Sequence, residues 1–241
     1  MKSFVTLMLC LLSMTTFAQV HDEITSAMEE FDYDKVINLI SPGTKDSLLL
    51  STRIQALTAL HRHPDAILDL TSLFVKDPTA TQILIALSSC YTPMGSPRRA
   101  VDLSLTAVSL RQNNKFFRLQ YIRSLLNAEN FKEARDACHG WLEQDTVSAT
   151  GYKYLGQAYE GMQDIPNAFF SYNVAYRRDS LDAQTVARIA NIFNNNRQFT
   201  DAIDVTECYR LSDTTSVDVN RQNAKAYCML KDYKKAIERY E

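Results

Sequence analysis

Apolar and small residues return along this chain with a fixed period. Six alanines stand thirty-four residues apart: Ala66, Ala100, Ala134, Ala168, Ala202 and Ala236. Nine residues before each alanine stands a large apolar or aromatic residue: Leu57, Tyr91, Leu125, Tyr159, Phe193 and Tyr227. A fixed period of this length indicates a stacked repeat whose unit is a pair of short helices.

Three other positions of the period predict how the helix pairs pack. Twelve residues before each alanine the side chain is mostly small: Ile54, Ser88, Ile122, Gly156, Ala190 and Ala224. Packing residues also stand three before it, at His63, Pro97, Phe131, Ile165, Phe199 and Tyr233, and seven after it, at Leu73, Ala107, Trp141, Ala175 and Tyr209. Small residues let two helices approach, and large ones fill the grooves beside them. We therefore predict antiparallel helix pairs that bury their apolar faces against neighbouring pairs.

Capping residues and prolines mark where these helices begin and end. Ser96-Pro97 places a capping residue ahead of a proline in a first helical turn. Asp77-Pro78 ends a unit, because the residue before proline is pushed out of the helical region. Alternating β-branched runs are scarce, so the sequence predicts an all-α chain.

Two segments carry a resemblance to a known family. Residues 152–159 (YKYLGQAY) and 232–240 (DYKKAIERY) resemble the first and second helices of a tetratricopeptide repeat. The resemblance covers residues 47–241 as six 34-residue units, the last incomplete, and a degenerate repeat precedes them at residues 19–46. It implies one elongated domain, a right-handed superhelical solenoid of antiparallel helix pairs. Arg53 departs from the pattern, since it stands where the family has leucine.

The first residues resemble an export signal. Lys2 supplies a positive start, residues 4–12 an apolar stretch, and residues 16–18 (TFA) a cleavage pattern before Gln19. The apolar stretch is too short for a comfortable membrane span. We predict a signal peptide at residues 1–18 and export to the periplasm or outer surface of a Gram-negative bacterium. An uncleaved anchor is the alternative, and no other membrane-spanning segment is predicted.

Charge and motifs narrow the classes of function. The net charge of −2 argues against nucleic-acid binding, which needs a basic surface. His61 and His63 form the one close histidine pair, and with Asp65 as the only further ligand they do not make a metal site. Phosphate-loop, zinc-protease and Cys-x-x-Cys motifs are missing from the sequence. We expect no enzymatic activity, no cofactor and no metal.

Four cysteines follow the export signal: Cys90, Cys138, Cys208 and Cys228. Their places inside helical patterns predict small buried residues. An oxidising compartment also permits disulfides. If one forms, Cys208 and Cys228 are the expected pair, because they lie on adjacent predicted helices.

The family resemblance implies that the first helix of each unit lines a concave surface. The positions that face this surface carry basic and amide side chains: Arg123, Lys153, Gln157, Arg188, Asn191, Arg221 and Lys225. Arginine and lysine bind carboxylates, and amides pair with peptide backbone. The sequence therefore predicts a groove for a protein or peptide with acidic groups, the alternative being that these side chains are only solvated.

We interpret the chain as a non-enzymatic interaction scaffold or adaptor of the bacterial cell envelope. Residue 241 falls inside a predicted second helix, and no polar helix covers the final unit, so we expect a longer protein. The alternative function is the sensor or regulatory ectodomain of a membrane signalling protein that continues past residue 241.

Overall fold

A computed structural model describes residues 19–240. The export signal predicted at residues 1–18 and the terminal Glu241 lie outside the described residues. The described part is all-α, without strands, as predicted. Its helices are α1 (residues 19–29), α2 (Tyr33–Leu39), α3 (Ser47–Ala59), α4 (His63–Lys76), α5 (Thr81–Tyr91), α6 (Pro97–Leu110), α7 (Lys115–Asn127), α8 (Phe131–Leu142), α9 (Ala149–Gly161), α10 (Ile165–Arg178), α11 (Ala183–Asn195), α12 (Phe199–Arg210), α13 (Val217–Met229) and α14 (Tyr233–Glu238).

The described residues divide into two compact units, unit 1 ending at Phe117 and unit 2 beginning at Arg118. The division falls inside α7. In unit 1, α2 packs on α3, α3 on α4, α4 on α5, and α5 on α6. In unit 2 each helix from α8 to α14 packs on the next, and α11 also contacts α13. Contacts between near neighbours along the chain are typical of helical repeats.

The periodic alanines lie at the centres of these contacts. All six are buried on the second helix of their pair, with at most 2% of their surface exposed. The residues twelve before them are buried as well. The position three before the alanine follows the prediction less well, because Ile165 and Tyr233 are exposed there. That position is the first residue of the second helix, at the edge of each pair.

The turn inside each helix pair has one conformation that the sequence pattern does not reveal. Five residues before each alanine the backbone adopts φ between +57° and +69°, at His61, Gly95, Glu129, Gln163, Arg197 and Lys231. The next residue donates its N–H to the carbonyl of the large residue nine before the alanine, over 2.8–3.0 Å. This six-to-one bond is the Schellman helix end. Only one of the six turns has glycine at this position. In the other five turns, main-chain hydrogen bonds hold a non-glycine residue in the left-handed conformation.

The cysteines divide into two kinds. Cys90 and Cys138 are buried, as predicted, and burial raises the pKa of the Cys138 thiol to about 12. Cys208 and Cys228 are exposed instead, and all four are free thiols. The disulfide considered for Cys208 and Cys228 is therefore not formed. Among residues 19–240, no helix combines the length and apolar character that crossing a membrane requires.

Candidate functional site

The first helices of unit 2 carry the predicted groove residues. Each of α9, α11 and α13 holds two of them: Lys153 and Gln157, Arg188 and Asn191, and Arg221 and Lys225. We call the surface formed by these three helices the first-helix face. The seventh predicted residue, Arg123, is exposed on α7.

Lys153 is held by the start of the next first helix. Its Nζ donates to Asp182 Oδ1 at 3.0 Å, and the lysine side chain is only 16% exposed. Asp182 caps α11 by accepting from the Thr185 backbone N–H and hydroxyl. Burial of Asp182 opposes its ionisation, but the hydrogen bonds from Thr185 and Lys153 outweigh burial and lower its pKa. Lys153 therefore joins α9 to α11 and has little freedom to meet a ligand.

Arg188 is positioned by a chain of hydrogen bonds that starts in the core. Tyr172 is fully buried on α10 and donates its hydroxyl to Glu160 Oε2 at 2.6 Å. The other oxygen of Glu160 accepts from Arg188 Nη1 at 3.0 Å. Burial, and then the Glu160 carboxylate, raise the pKa of Tyr172, so its hydroxyl stays protonated and keeps donating. Glu160 consequently fixes one side of the Arg188 guanidinium, while the arginine side chain as a whole remains 43% exposed.

The link between α11 and α13 is built from amides. Asn194 is buried and donates to the backbone carbonyl of Gln222 at 3.0 Å and to its side-chain oxygen at 3.2 Å. Lys225 donates to Asn195 Oδ1 at 3.1 Å. On α13 itself, Arg221 pairs with Asp218 at 3.2 Å, with both side chains largely exposed.

A depression of about 270 Å³ lies between α11 and α13. Its lining brings together three predicted site residues, Arg188, Asn191 and Arg221, with the amides Gln184 and Gln222. The depression does not include Arg123, Lys153, Gln157 or Lys225. Gln157 is half-buried on α9, and its Nε2 has no hydrogen-bond partner in the described chain.

The predicted basic character of this face is largely offset. Three of the basic residues have acidic partners that the sequence reading did not identify, namely Asp182, Glu160 and Asp218. The helix contacts bring residues 28–30 positions apart together, as in Glu160–Arg188 and Lys153–Asp182. Searching for opposite charges at that separation would have found both pairs. The amide-rich character remains, with Gln184, Asn191 and Gln222 around the depression.

Histidine and acidic side chains do not assemble into a metal centre in the described residues. The rings of His61 and His63 instead meet edge to face, with centroids 5.8 Å apart.

Comparison with known proteins identifies the fold. No family model and no curated protein matches the sequence. A tetratricopeptide repeat protein from Parabacteroides merdae is similar in structure with a TM-score of 0.72 at 12% identity, over 94% of this chain and 91% of that one. PilF of Pseudomonas aeruginosa has a TM-score of 0.62 at 14% identity, over 88% and 89% of the two chains. MamA from Desulfovibrio magneticus has a TM-score of 0.57 at 18% identity, over 72% and 99%. The chain therefore has the tetratricopeptide repeat fold.

Proposed function

We propose that this chain is a non-enzymatic scaffold that binds an extended protein segment with acidic groups across the first-helix face. The observation that carries the proposal is the depression between α11 and α13, where Arg188 and Arg221 flank three amide side chains. A surface of this chemistry suits a peptide better than a small apolar ligand, because it offers paired hydrogen-bond donors and acceptors.

The amides supply the contacts to peptide backbone. Each carries two N–H donors and a carbonyl acceptor, which matches the alternating groups of an extended chain. Asn194 bonds the side-chain oxygen of Gln222 and so orients this amide before any ligand arrives. The NH₂ group of Gln222 stays available to donate. Fixing a side chain in advance reduces the conformational entropy that binding costs.

The arginines supply the preference for acidic groups. Arg188 gives one N–H to Glu160, and Arg221 forms an ion pair with Asp218. A guanidinium has five N–H donors, so each arginine retains several for a carboxylate of the ligand. The acidic partners weaken the attraction, so we expect moderate affinity that falls as salt screens these exposed charges.

We place this function in the cell envelope of a Gram-negative bacterium. The support is the export pattern of residues 1–18, with Lys2 ahead of an apolar stretch and a small-residue cleavage pattern before Gln19. Fractionation of cells that express the full chain tests this, with N-terminal sequencing of the protein recovered from the envelope. A mature chain that begins at Gln19 is the expected result, and a cytoplasmic chain that keeps Met1 contradicts the location.

Peptide selection tests the binding face directly. A displayed library of random twelve-residue peptides is panned on the full chain, and the selected peptides are measured by fluorescence anisotropy. We expect enrichment in Asp and Glu and about tenfold weaker binding by the double variant Arg188→Ala and Arg221→Ala, since exposed charged contacts contribute roughly 0.2–1 kcal/mol each. Arg123→Ala is the control, because Arg123 lies outside the depression. Equal binding by the double variant would refute the proposed face.

A further inference from the structure

Helix α14 exposes two side chains at positions that the earlier repeats cover. Tyr240 lies four residues after the repeat alanine Ala236 and is 65% exposed. The residues at the same position of the five earlier repeats are buried, with at most 3% exposed: Leu70, Ser104, Cys138, Tyr172 and Thr206. Ile237 lies one residue after Ala236 and is 58% exposed, whereas its five counterparts are half-buried. Within the described chain, α14 therefore lacks the cover that the other second helices have.

The preceding repeat shows what provides this cover. Thr206 on α12 is the counterpart of Tyr240, and its hydroxyl accepts from Asn223 Nδ2 of α13 at 2.7 Å. Ala226, also on α13, belongs to the buried cluster against which Ile203 of α12 packs. The cover of a second helix is therefore the first helix of the repeat that follows.

An open cavity of about 540 Å³ lies beside α14. Its described lining has one carboxylate, Glu238, and three arginines, namely Arg210, Arg221 and Arg239. Thirty-four residues before these arginines the chain has apolar residues: Tyr176, Ala187 and Val205. Those apolar residues form or contact the buried cluster that contains Val219 of α13. The place that α13 occupies in the preceding repeat has therefore become basic at α14.

Helix α1 is a first helix in the same register as α13. The six-to-one hydrogen bond that closes the other first helices also closes α1. Asp32 donates its N–H to the carbonyl of Ala27 over 2.8 Å, and Asp232 donates to that of Tyr227 over 2.9 Å. Each residue of α1 therefore has its counterpart on α13 at the number that is larger by 200, as Ala27 has Tyr227.

The face of α1 that corresponds to the covering face of α13 is exposed and acidic. Glu23 and Ser26 are exposed, and their counterparts on α13 are the buried Asn223 and Ala226. Glu23 pairs with Lys35 at 3.3 Å but remains 47% exposed. Residues 19–30 carry no lysine or arginine and four carboxylates: Asp22, Glu23, Glu29 and Glu30. An acidic first helix and a basic place for a first helix are complementary in charge.

We propose that α1 of a second copy of this chain packs on α13 and α14, as α13 packs on α11 and α12. The carboxylates of α1 meet the arginines of the cavity. Glu23 takes the place of Asn223 and accepts from the hydroxyl of Tyr240, in the way that Glu160 accepts from Tyr172. The two surfaces differ, so the contact is heterologous, and a dimer keeps one surface of each kind for further copies.

Sedimentation velocity of the full chain over a range of concentrations measures this association. We expect its Kd to rise at least fivefold between about 50 mM and about 500 mM salt, because salt screens exposed charges. Glu23→Arg should weaken association at least tenfold. Glu29→Arg is the matched control, because its counterpart Met229 is exposed on α13, and it should change Kd by less than about threefold. Equal effects of the two variants would overturn the proposal. A chain that stays monomeric would also overturn it and leave α14 to a different partner.

Mixing two variants tests the head-to-tail arrangement. Ile237→Asp blocks α14 and keeps α1 intact, whereas Glu23→Arg blocks α1 and keeps α14 intact. Each variant alone should be monomeric at concentrations where the parent chain associates. Their mixture should form a 1:1 dimer that grows no further, because one intact surface of each kind remains. Phe170→Asp, at an exposed position of α10, is the control and should associate like the parent chain.

Self-association of either blocked variant, or a mixture without dimer, would overturn the head-to-tail contact. Circular dichroism of each variant confirms that the helices are retained. Neither blocking variant changes Arg188 or Arg221, so failure of this contact is distinguishable from failure of the first-helix face.

Discussion

The guanidinium of Arg53 on α3 forms an ion pair with the carboxylate of Asp69 on α4 inside unit 1. Both side chains are buried, with 7% and 5% of their surfaces exposed. The same two helices contribute Leu50, Leu57 and Leu70 to the hydrophobic core of unit 1. A buried charge that loses its partner is strongly unfavourable, because neither water nor a counter-charge then stabilises it.

Removing either partner should therefore destabilise unit 1. We expect Arg53→Ala or Asp69→Ala to lower the free energy of unfolding by about 3–5 kcal/mol. The double variant Arg53→Leu with Asp69→Leu should recover most of the loss, since replacing both charges with apolar groups is often neutral or stabilising. Urea unfolding followed by circular dichroism measures this. Single variants that unfold like the parent chain would contradict a paired buried charge.

Gly156 allows α9 to approach the ring of Tyr172 on α10. A Cβ at residue 156 would lie 2.6 Å from two ring atoms. Tyr172 is fully buried and bonded to Glu160, so the ring has no space to retreat. We expect Gly156→Ala to cost about 1–3 kcal/mol by overpacking. Gly140→Ala is the control on α8, where the added Cβ has no atom within 4 Å apart from its chain neighbours and the backbone of its own helix. It should stabilise the chain by about 0.5–1 kcal/mol, the usual gain inside a helix. Thermal denaturation of both variants gives the comparison, and equal shifts in Tm would contradict it.

The left-handed turn residues predict substitutions of opposite effect. Gly95 has φ of +69°, so Gly95→Ala should destabilise the chain by about 1 kcal/mol. Glu129 occupies the equivalent position with φ of +58°. A side chain in this left-handed conformation costs about 1–2 kcal/mol. Glycine removes that cost, but it also makes the unfolded chain more flexible, which cancels part of the gain. Glu129→Gly should therefore raise stability by about 0.5–1 kcal/mol. Urea midpoints measure both, and a destabilised Glu129→Gly would show that its side chain makes compensating contacts.

Acid should weaken the loop that joins α12 to α13. Asp213 accepts from the Tyr209 hydroxyl at 2.6 Å and from the hydroxyl and backbone N–H of Thr215. The hydrogen bond from Tyr209 has the largest effect on the pKa of Asp213, and together with those from Thr215 it lowers this pKa to about 2. A lowered pKa in the folded state means that the stabilisation is complete above the unfolded pKa of about 3.9. It is lost as the pH falls through about 2.

A variant isolates this contribution. Asp213→Asn cannot ionise, so its Tm should fall less than that of the parent chain between pH 4 and pH 2. The two curves should run parallel above pH 5, where Asp213 is fully charged in both the folded and the unfolded chain. Parallel curves over the whole range would show that the carboxylate of Asp213 does not contribute.

Much of the fold could be predicted from the sequence, because small residues that lie in the core recur with the period of the repeat. The buried alanines and the helix start at Pro97 lie where the sequence predicts. Arg53 was recognisable as a departure from the pattern, but its partner Asp69 was not, because the period says nothing about which side chains pair. The left-handed turns were missed for a related reason, since five of the six lack the glycine that usually marks them.

The candidate site was less predictable than the fold. Period and family resemblance selected the residues of α9, α11 and α13, and three of these line the depression. Their availability depends on neighbours 28–30 residues away, such as Asp182 for Lys153. A pattern of positions on one helix carries no information about these neighbours.

Because the turns share one backbone conformation, repeats could be removed or exchanged as whole 34-residue cassettes. Gln163 and Arg197 have the same φ of +62°, and each is followed by an N-cap of similar conformation, Asp164 at φ −87° and Gln198 at φ −89°. Excising residues 164–197 would join Gln163 to Gln198, and the backbone dihedral angles at the junction would not need to change. Arrays of other lengths could be assembled from this chain by cutting and joining at these turns, with the choice of cassettes deciding which binding surfaces are kept.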